Sequence, residues 1–101
     1  MTAMQLDQLV DRIRSKNAGP FWLTIDIFCG DQQRYQRVRD GLGVDQVART
    51  YHCQPDSILR FDIADLNVVK FSLPRPVVQG SRQDSDMHAS QWAWLLGEIK
   101  I

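Results

Sequence analysis

Over the first thirteen residues the apolar positions fall at 4, 6, 9, 10 and 13, close to the i, i+3, i+4, i+7 stripe of an amphipathic helix. The spacing predicts a helix over residues 4–13, with an edge strand as the competing reading, because Leu6 and Val10 also fit a period of two. Asn17, Gly19 and Pro20 stop any helix. Residues 21–29 read Phe-Trp-Leu-Thr-Ile-Asp-Ile-Phe-Cys, an aromatic and β-branched run that predicts the clearest strand in the chain. Leu23, Ile25, Ile27 and Cys29 share one face of that strand, and Trp22, Thr24, Asp26 and Phe28 share the other. Asp26 therefore stands among aromatics.

Gly30-Asp31 then predicts a turn and cap, followed by a helix over 32–39 with Tyr35 and Val38 inward, which Gly41 and Gly43 break. Asp45 is expected to cap a second helix running to Tyr51, with Val47, Ala48 and Tyr51 on its inner side. After a turn at Pro55-Asp56, residues 58–63 and 68–73 alternate as two strands joined by the hairpin connection Ala64-Asp65-Leu66-Asn67. Pro74-Arg75-Pro76 ends the second of these. Residues 79–86 are polar and read as an exposed loop. Ser85 or Asp86 can cap a helix over 87–96, and 98–101 alternate as a closing strand. This order predicts one domain over residues 1–101, an α+β fold in the form of a ferredoxin-like two-layer sandwich: a mostly antiparallel sheet with helices on one face.

Composition narrows the function. A chain of 101 residues can bury roughly 60–65% of its unfolded surface in one core. The hydrophobic fraction of 44% and charged fraction of 24% are those of a soluble globular protein. Twelve Lys and Arg balance twelve Asp and Glu, so no overall field points to nucleic acid or an anionic membrane. Without a membrane-length apolar run or a signal-like segment, the protein is expected to be cytoplasmic. Cys29 and Cys53 then read as free, buried thiols, with no partner spacing for a metal site and no motif for a cofactor.

The densest chemistry is at 14–21, Arg-Ser-Lys-Asn-Ala-Gly-Pro-Phe. Arg14 and Lys16 supply charge, Ser15 and Asn17 supply polar groups, and Gly19 lets the backbone turn and present its N–H groups, as a carboxylate or phosphate cradle requires. A solvated turn whose Gly-Pro only shapes the connection is the plainer alternative. Arg75 is stiffened by a proline on each side, which suits either a placed guanidinium or an edge-protecting charge. His88, near Asp84 and Asp86, can form a carboxylate–imidazole pair or merely decorate a helix start. His52 and Cys53 are adjacent in sequence but have no motif around them. Trp92 and Trp94, two apart on a helix, point about 200° from each other. One of them is expected at the surface as an interface anchor.

The stretch from Arg14 to Phe21, followed by Leu23-Thr24 and Asp26-Ile27, resembles the signature of a small bacterial and fungal family filed as a domain of unknown function, and Pro74-Arg75-Pro76 fits the same family. That family is similar in turn to the C-terminal ferredoxin-fold domain of the acyclic terpene utilisation (AtuA-like) proteins, where a basic turn leads into a strand at the place of Arg14 to Gly19. Lys16-Asn17-Ala18 depart from the Gly-Asp-Lys found at that point in the AtuA-like turn. The resemblance implies a small accessory subunit beside a large AtuA-like subunit, a hetero-oligomer acting on a small carboxylic acid or acyl-CoA. Addition or removal of water, a hydro-lyase reaction, is the expected chemistry. In that role Arg14, Ser15, Lys16, Asn17, Gly19, Thr24 and Arg75 would bind substrate, Asp26 and His88 would move a proton, Trp92 and Trp94 would meet the partner, and no cofactor or metal is called for. A stand-alone module for an anionic metabolite and a purely structural interaction domain are the alternatives.

Overall fold

The computed structural model describes residues 3–19, 21–74 and 92–101, the side chain of Trp92 excepted. Its sheet has four antiparallel strands: β1 (Arg12–Asn17), β2 (Trp22–Phe28), β3 (Leu59–Ile63) and β4 (Val68–Pro74), in the order β1-β2-β4-β3. The helices are α1 (Leu6–Leu9), α2 (Gln32–Gly41), α3 (Val44–Tyr51) and α4 (Trp92–Gly97). The connection from β2 to β3 passes through α2 and α3, and β4 then returns between these two strands. This is the split crossover of ferredoxin-like sandwiches, with an N-terminal strand on the edge beside β2.

The β2 alternation does what it predicts. Leu23, Ile25, Ile27 and Cys29 are all fully buried. Opposite them in the sheet, Val69, Phe71 and Leu73 of β4 point the same way and are also fully buried. Leu6 and Leu9 of α1, Tyr35 and Val38 of α2, Leu42, Val47, Ala48 and Tyr51 around α3, and Leu96 of α4 close the core on that side. The described helices thus cover one face of the sheet and leave the other without a helical layer.

The helix boundaries have local causes. Asp31 caps α2 by accepting the Arg34 backbone N–H at 2.8 Å, which satisfies a donor that the first helical turn leaves open. Gly43, rather than Asp45, is the cap of α3, and the Gln46 side chain accepts the Gly43 N–H at 2.9 Å. Asp45 lies inside the first turn instead, where the positive end of the helix dipole favours a carboxylate. Between β3 and β4, a 3₁₀ turn over Ala64–Leu66 ends at Asn67 with φ +54°, a left-handed conformation that asparagine tolerates.

Two ends of the chain differ from the sequence expectation. The helix predicted over 4–13 is only the single turn of α1, and from Asp11 onward the chain enters the sheet, the Asp11 N–H bonding the Phe28 carbonyl at 3.0 Å. The edge-strand reading therefore holds for its second half. A period of two wins there because Ile13, packed against the core, is the one apolar anchor an edge strand needs, while Arg12, Arg14 and Lys16 alternate outward. The closing strand expected at 98–101 is reduced to a bridge between Gln5 and Lys100, with Met4 and Leu6 bonding Ile101 and Ile99. The position beside β2 that it could have taken is filled by β1. The exposed loop expected at 79–86 and the start of the helix over 87–91 lie outside the described residues.

Candidate functional site

Because β1 is a strand, the polar stretch that begins at Arg14 splits in two. Residues 14–17 are extended, and the strand ends at Asn17, the Ala18 N–H bonding the Trp22 carbonyl at 2.9 Å. Gly19 sits there with φ +78°, so the hairpin itself requires it. Alternation then sends Arg14 and Lys16 to the open face of the sheet and Ser15 and Asn17, both half-buried, to the helix-covered face. The structure does not bring these four side chains together.

It brings Arg14 and Lys16 to different neighbours. Cross-strand register sets Arg14 beside Asp26, and Asp26 beside Lys70 of β4. The next row runs Lys16, Thr24, Ser72. Side chains opposite each other in such rows have Cβ atoms about 4.5–5.5 Å apart, so six polar groups from three strands share one patch. Arg12, one row further, lies over the Phe28 ring at 4.7 Å to its centroid, a cation–π contact that occupies its guanidinium. Trp22 and Phe61 flank the patch and are 41% and 48% exposed.

The electrostatics of the patch are unbalanced. The ion pairs among the described residues are Arg34 with Asp11 and Asp31, Arg39 with Asp40, and Arg60 with Asp62. None engages Arg14, Lys16, Lys70 or Asp26. Two acceptors in the patch, Oδ1 of Asp26 and Oγ1 of Thr24, are shut off from solvent with no hydrogen-bond partner among the described residues. Polar atoms left in that condition are rare in folded proteins, because each gives up its hydration without replacement. Among the described residues, three cations without an ion pair thus stand beside two buried acceptors without a hydrogen bond.

Outside the patch, Oδ1 of Asn17 is likewise buried without a hydrogen bond among the described residues, while several arginines are engaged. Arg34 bridges Asp31 at 3.0 Å, Asp11 at 3.1 Å and the Leu9 carbonyl at 3.3 Å. The Arg34 backbone N–H on Asp31 holds that carboxyl below the usual carboxylate range. Arg60 donates to the Leu42 and Arg39 carbonyls at 2.6 and 2.7 Å, pinning β3 to the end of α2. Burial pushes the Cys29 thiol up to about 11 and pushes the Tyr51 hydroxyl up as well. Both thiols are free, Cys29 buried and Cys53 half-buried. Cys53 and His52 line a shallow concavity of about 530 Å³ with Asp45 and Arg49, and another of about 500 Å³ is walled by Gln33, Gln36, Arg37 and Ile101. Neither includes a residue of the open-face patch.

Of the other sequence candidates, Trp94 stands 72% exposed on α4 beside the exposed Leu95. Trp92 begins the same helix, its side chain outside the described residues, as are Arg75 and His88. Lys70 and Ser72 are the patch residues that sequence reasoning missed. The signal was present: 68–73 alternate, and Lys70 and Ser72 take the face opposite Val69, Phe71 and Leu73. Among the described residues no three His, Cys, Asp or Glu side chains gather to hold a metal ion. No described helix is long and apolar enough to cross a membrane.

The family described as Domain of unknown function (DUF4387) covers residues 6–100. No match to the chain was found among curated proteins or among solved structures.

Proposed function

We propose, for a chain that belongs to this domain-of-unknown-function family, the role of small accessory subunit in a two-component AtuA-like enzyme acting on a small carboxylic acid or acyl-CoA. The observation that supports the reading is the pair of rows Arg14–Asp26–Lys70 and Lys16–Thr24–Ser72, whose cations form no ion pair, and whose Asp26 Oδ1 and Thr24 Oγ1 accept no hydrogen bond, among the described residues. A flat sheet face offers a substrate one wall only. The second wall comes from the large subunit, which is why the reading is of an accessory chain and not a self-sufficient enzyme.

In this reading Arg14, Lys16 and Lys70 hold the carboxylate or the thioester's phosphates, each through charge-assisted hydrogen bonds. Thr24 and Ser72 turn their hydroxyls toward the same group. Asp26 is the one acid within the two rows, and it gives or takes the proton when water adds across a carbon–carbon double bond beside the carboxyl, or leaves from adjacent carbons to form one. Trp94 and Leu95, exposed side by side on α4, support a second contact with the large subunit, since large exposed aromatics are favoured interface anchors.

Co-expression with the large AtuA-like subunit is the test. The expected result is a stoichiometric complex that hydrates or dehydrates an acid or acyl thioester. Arg14→Ala with Lys16→Ala is expected to leave that complex assembled and to lower kcat/KM by about ten- to a hundred-fold per cation removed. Failure of the two chains to co-purify, or full turnover in the double variant, overturns the proposal. The lone chain gaining thermal stability with di- or tricarboxylates, and losing that gain in the double variant, supports a stand-alone anion-binding module instead.

A further inference from the structure

The two edges of the sheet are built differently. Edge strands leave a row of unpaired backbone N–H and C=O groups, and proteins protect them with charge or use them for pairing. β1 is protected: Arg12, Arg14 and Lys16 alternate along its open face. Pairing β1 with a second copy about Arg14 would set Arg12 opposite Lys16 and Arg14 opposite itself, and like charges directly opposite one another repel.

β3 has the reverse design. Among the described residues it pairs with β4 on one side only, and its five residues read Leu59-Arg60-Phe61-Asp62-Ile63. This order is self-complementary about its centre. Antiparallel pairing with a second copy about Phe61 sets Leu59 opposite the partner's Ile63, Arg60 opposite the partner's Asp62, and Phe61 opposite itself. Every opposed pair is then apolar–apolar, opposite in charge, or aromatic–aromatic, the combinations that stabilise cross-strand neighbours.

The side chains are already in place for this. Leu59 and Phe61 are 54% and 48% exposed on the open face, an unusual position for large apolar groups unless something covers them. Arg60 and Asp62 lie on the other face and pair within the chain at 2.9 Å. The carbonyls of Leu42 and Arg39 hold the guanidinium there. Arg60 uses three N–H groups in these contacts, which leaves two of its five donors. Among the described residues Asp62 accepts a side-chain hydrogen bond through Oδ1, from Arg60. Two copies across a two-fold axis would complete a square of alternating charges without breaking any existing bond.

We infer that β3 is a homodimerisation edge, through which two copies of this chain join into one eight-stranded antiparallel sheet. The symmetry is isologous and closed, so pairing stops at two. The charged β1 edges end the extended sheet on both sides, and the two basic patches lie on the same face. This inference stands independently of the accessory-subunit reading, because it rests on the edge and not on the patch.

Light scattering after gel filtration of the full chain tests it. The expected mass is twice the 11.6 kDa of one chain at tens of micromolar protein. Phe61→Lys, which puts two ammonium groups on the axis, is expected to halve that mass and leave the circular dichroism spectrum intact. If Phe61→Lys does not fold, Asp62→Lys makes the same test, setting lysine against the partner's Arg60. In a third variant, oxidised Phe61→Cys is expected to cross-link to a dimer on a non-reducing gel, while Leu66→Cys, an exposed control in the adjoining turn, does not. A single-chain mass up to millimolar concentration overturns the inference. So does a dimer that survives the charge variants, or a Phe61→Cys variant that cross-links no better than the control.

Discussion

The two faces of β2 are carried by one backbone and separated by one side-chain length, yet they obey opposite rules. On the inner face Leu23, Ile25 and Ile27 are wholly buried and meet the equally buried Val69, Phe71 and Leu73. On the outer face Trp22, Thr24, Asp26 and Phe28 meet cations on β1 and a lysine and a serine on β4. Packing accounts fully for the inner set, since close-packed apolar side chains stabilise the fold by leaving water. The outer set is charged and polar: among the described residues Oδ1 of Asp26 has no hydrogen-bond partner, and Arg14, Lys16 and Lys70 enter no ion pair. The difference separates residues that make the structure from residues the structure displays.

The separation can be broken most forcefully from the inside. Phe71→Ala removes a fully buried ring and is expected to cost about 3–5 kcal/mol, a large part of the stability of any domain this size. Thermal unfolding followed by circular dichroism would then show a midpoint lowered by more than about 10 °C, or no folded baseline. Ile25→Val deletes one methyl from the same layer and is expected to cost about 0.5–1.5 kcal/mol, read from the denaturation midpoint in urea.

On the outer face the expected stability effects are smaller and the functional ones larger. Asp26→Asn and Lys70→Ala are each expected to change unfolding free energy by less than about 0.5 kcal/mol, while Asp26→Asn abolishes turnover with the large subunit and Lys70→Ala weakens anion binding. A loss of stability comparable to Ile25→Val would move Asp26 into the structural set.

The smallest effect concerns Cys29, on the inner face at the end of the strand. Its pKa is raised by burial from 9.0 to about 11. The folded state therefore keeps the thiol protonated where the unfolded state has begun to lose its proton. This contribution to stability is complete below pH 9 and is lost as the pH rises toward about 11. Melting curves of Cys29→Ala are expected to fall less steeply over that alkaline range than those of the unaltered chain. A thiol reagent at pH 8 should label Cys53 in the native protein and Cys29 only after unfolding, because the thiolate is the reactive form.

Much of this architecture can be read from residue order where the hydrophobic period is unmixed. β2, α2, α3 and the β3–β4 hairpin each follow one repeat, and their inward residues Tyr35, Val38, Val47, Ala48 and Tyr51 are the buried ones. The N-terminal region was less legible because its apolar spacing satisfies two periods at once, and only pairing with β2 decides between them. The site followed from the same ambiguity. Asp26 and Thr24 were placed on their face by strand parity alone. That Ser15 and Asn17 part from Arg14 and Lys16 depends on β1 being extended, which the local sequence does not dictate. Lys70 and Ser72 were reachable by the parity argument, but their proximity to Asp26 depends on β4 inserting between β2 and β3, a matter of topology rather than local pattern.

The clamp formed by Arg34 acquires a further meaning here. It ties the head of α2 to Asp11 and to the Leu9 carbonyl, just where the chain enters β1, while the Asp11 N–H is fastened to Phe28. Gly30 keeps the space open for it, because a methyl group there would collide with the Arg34 guanidinium and the Asp11 carboxylate. The clamp acts as a register pin. An edge strand with one apolar anchor has little of its own to prevent a slip, and a slip of a single residue turns every side chain over. Ser15 and Asn17 would then occupy the open face, and the three β1 cations, Arg12, Arg14 and Lys16, would turn toward the core. The sign of the charge displayed on that face is thus set at a junction several residues away, by an arginine that never touches it.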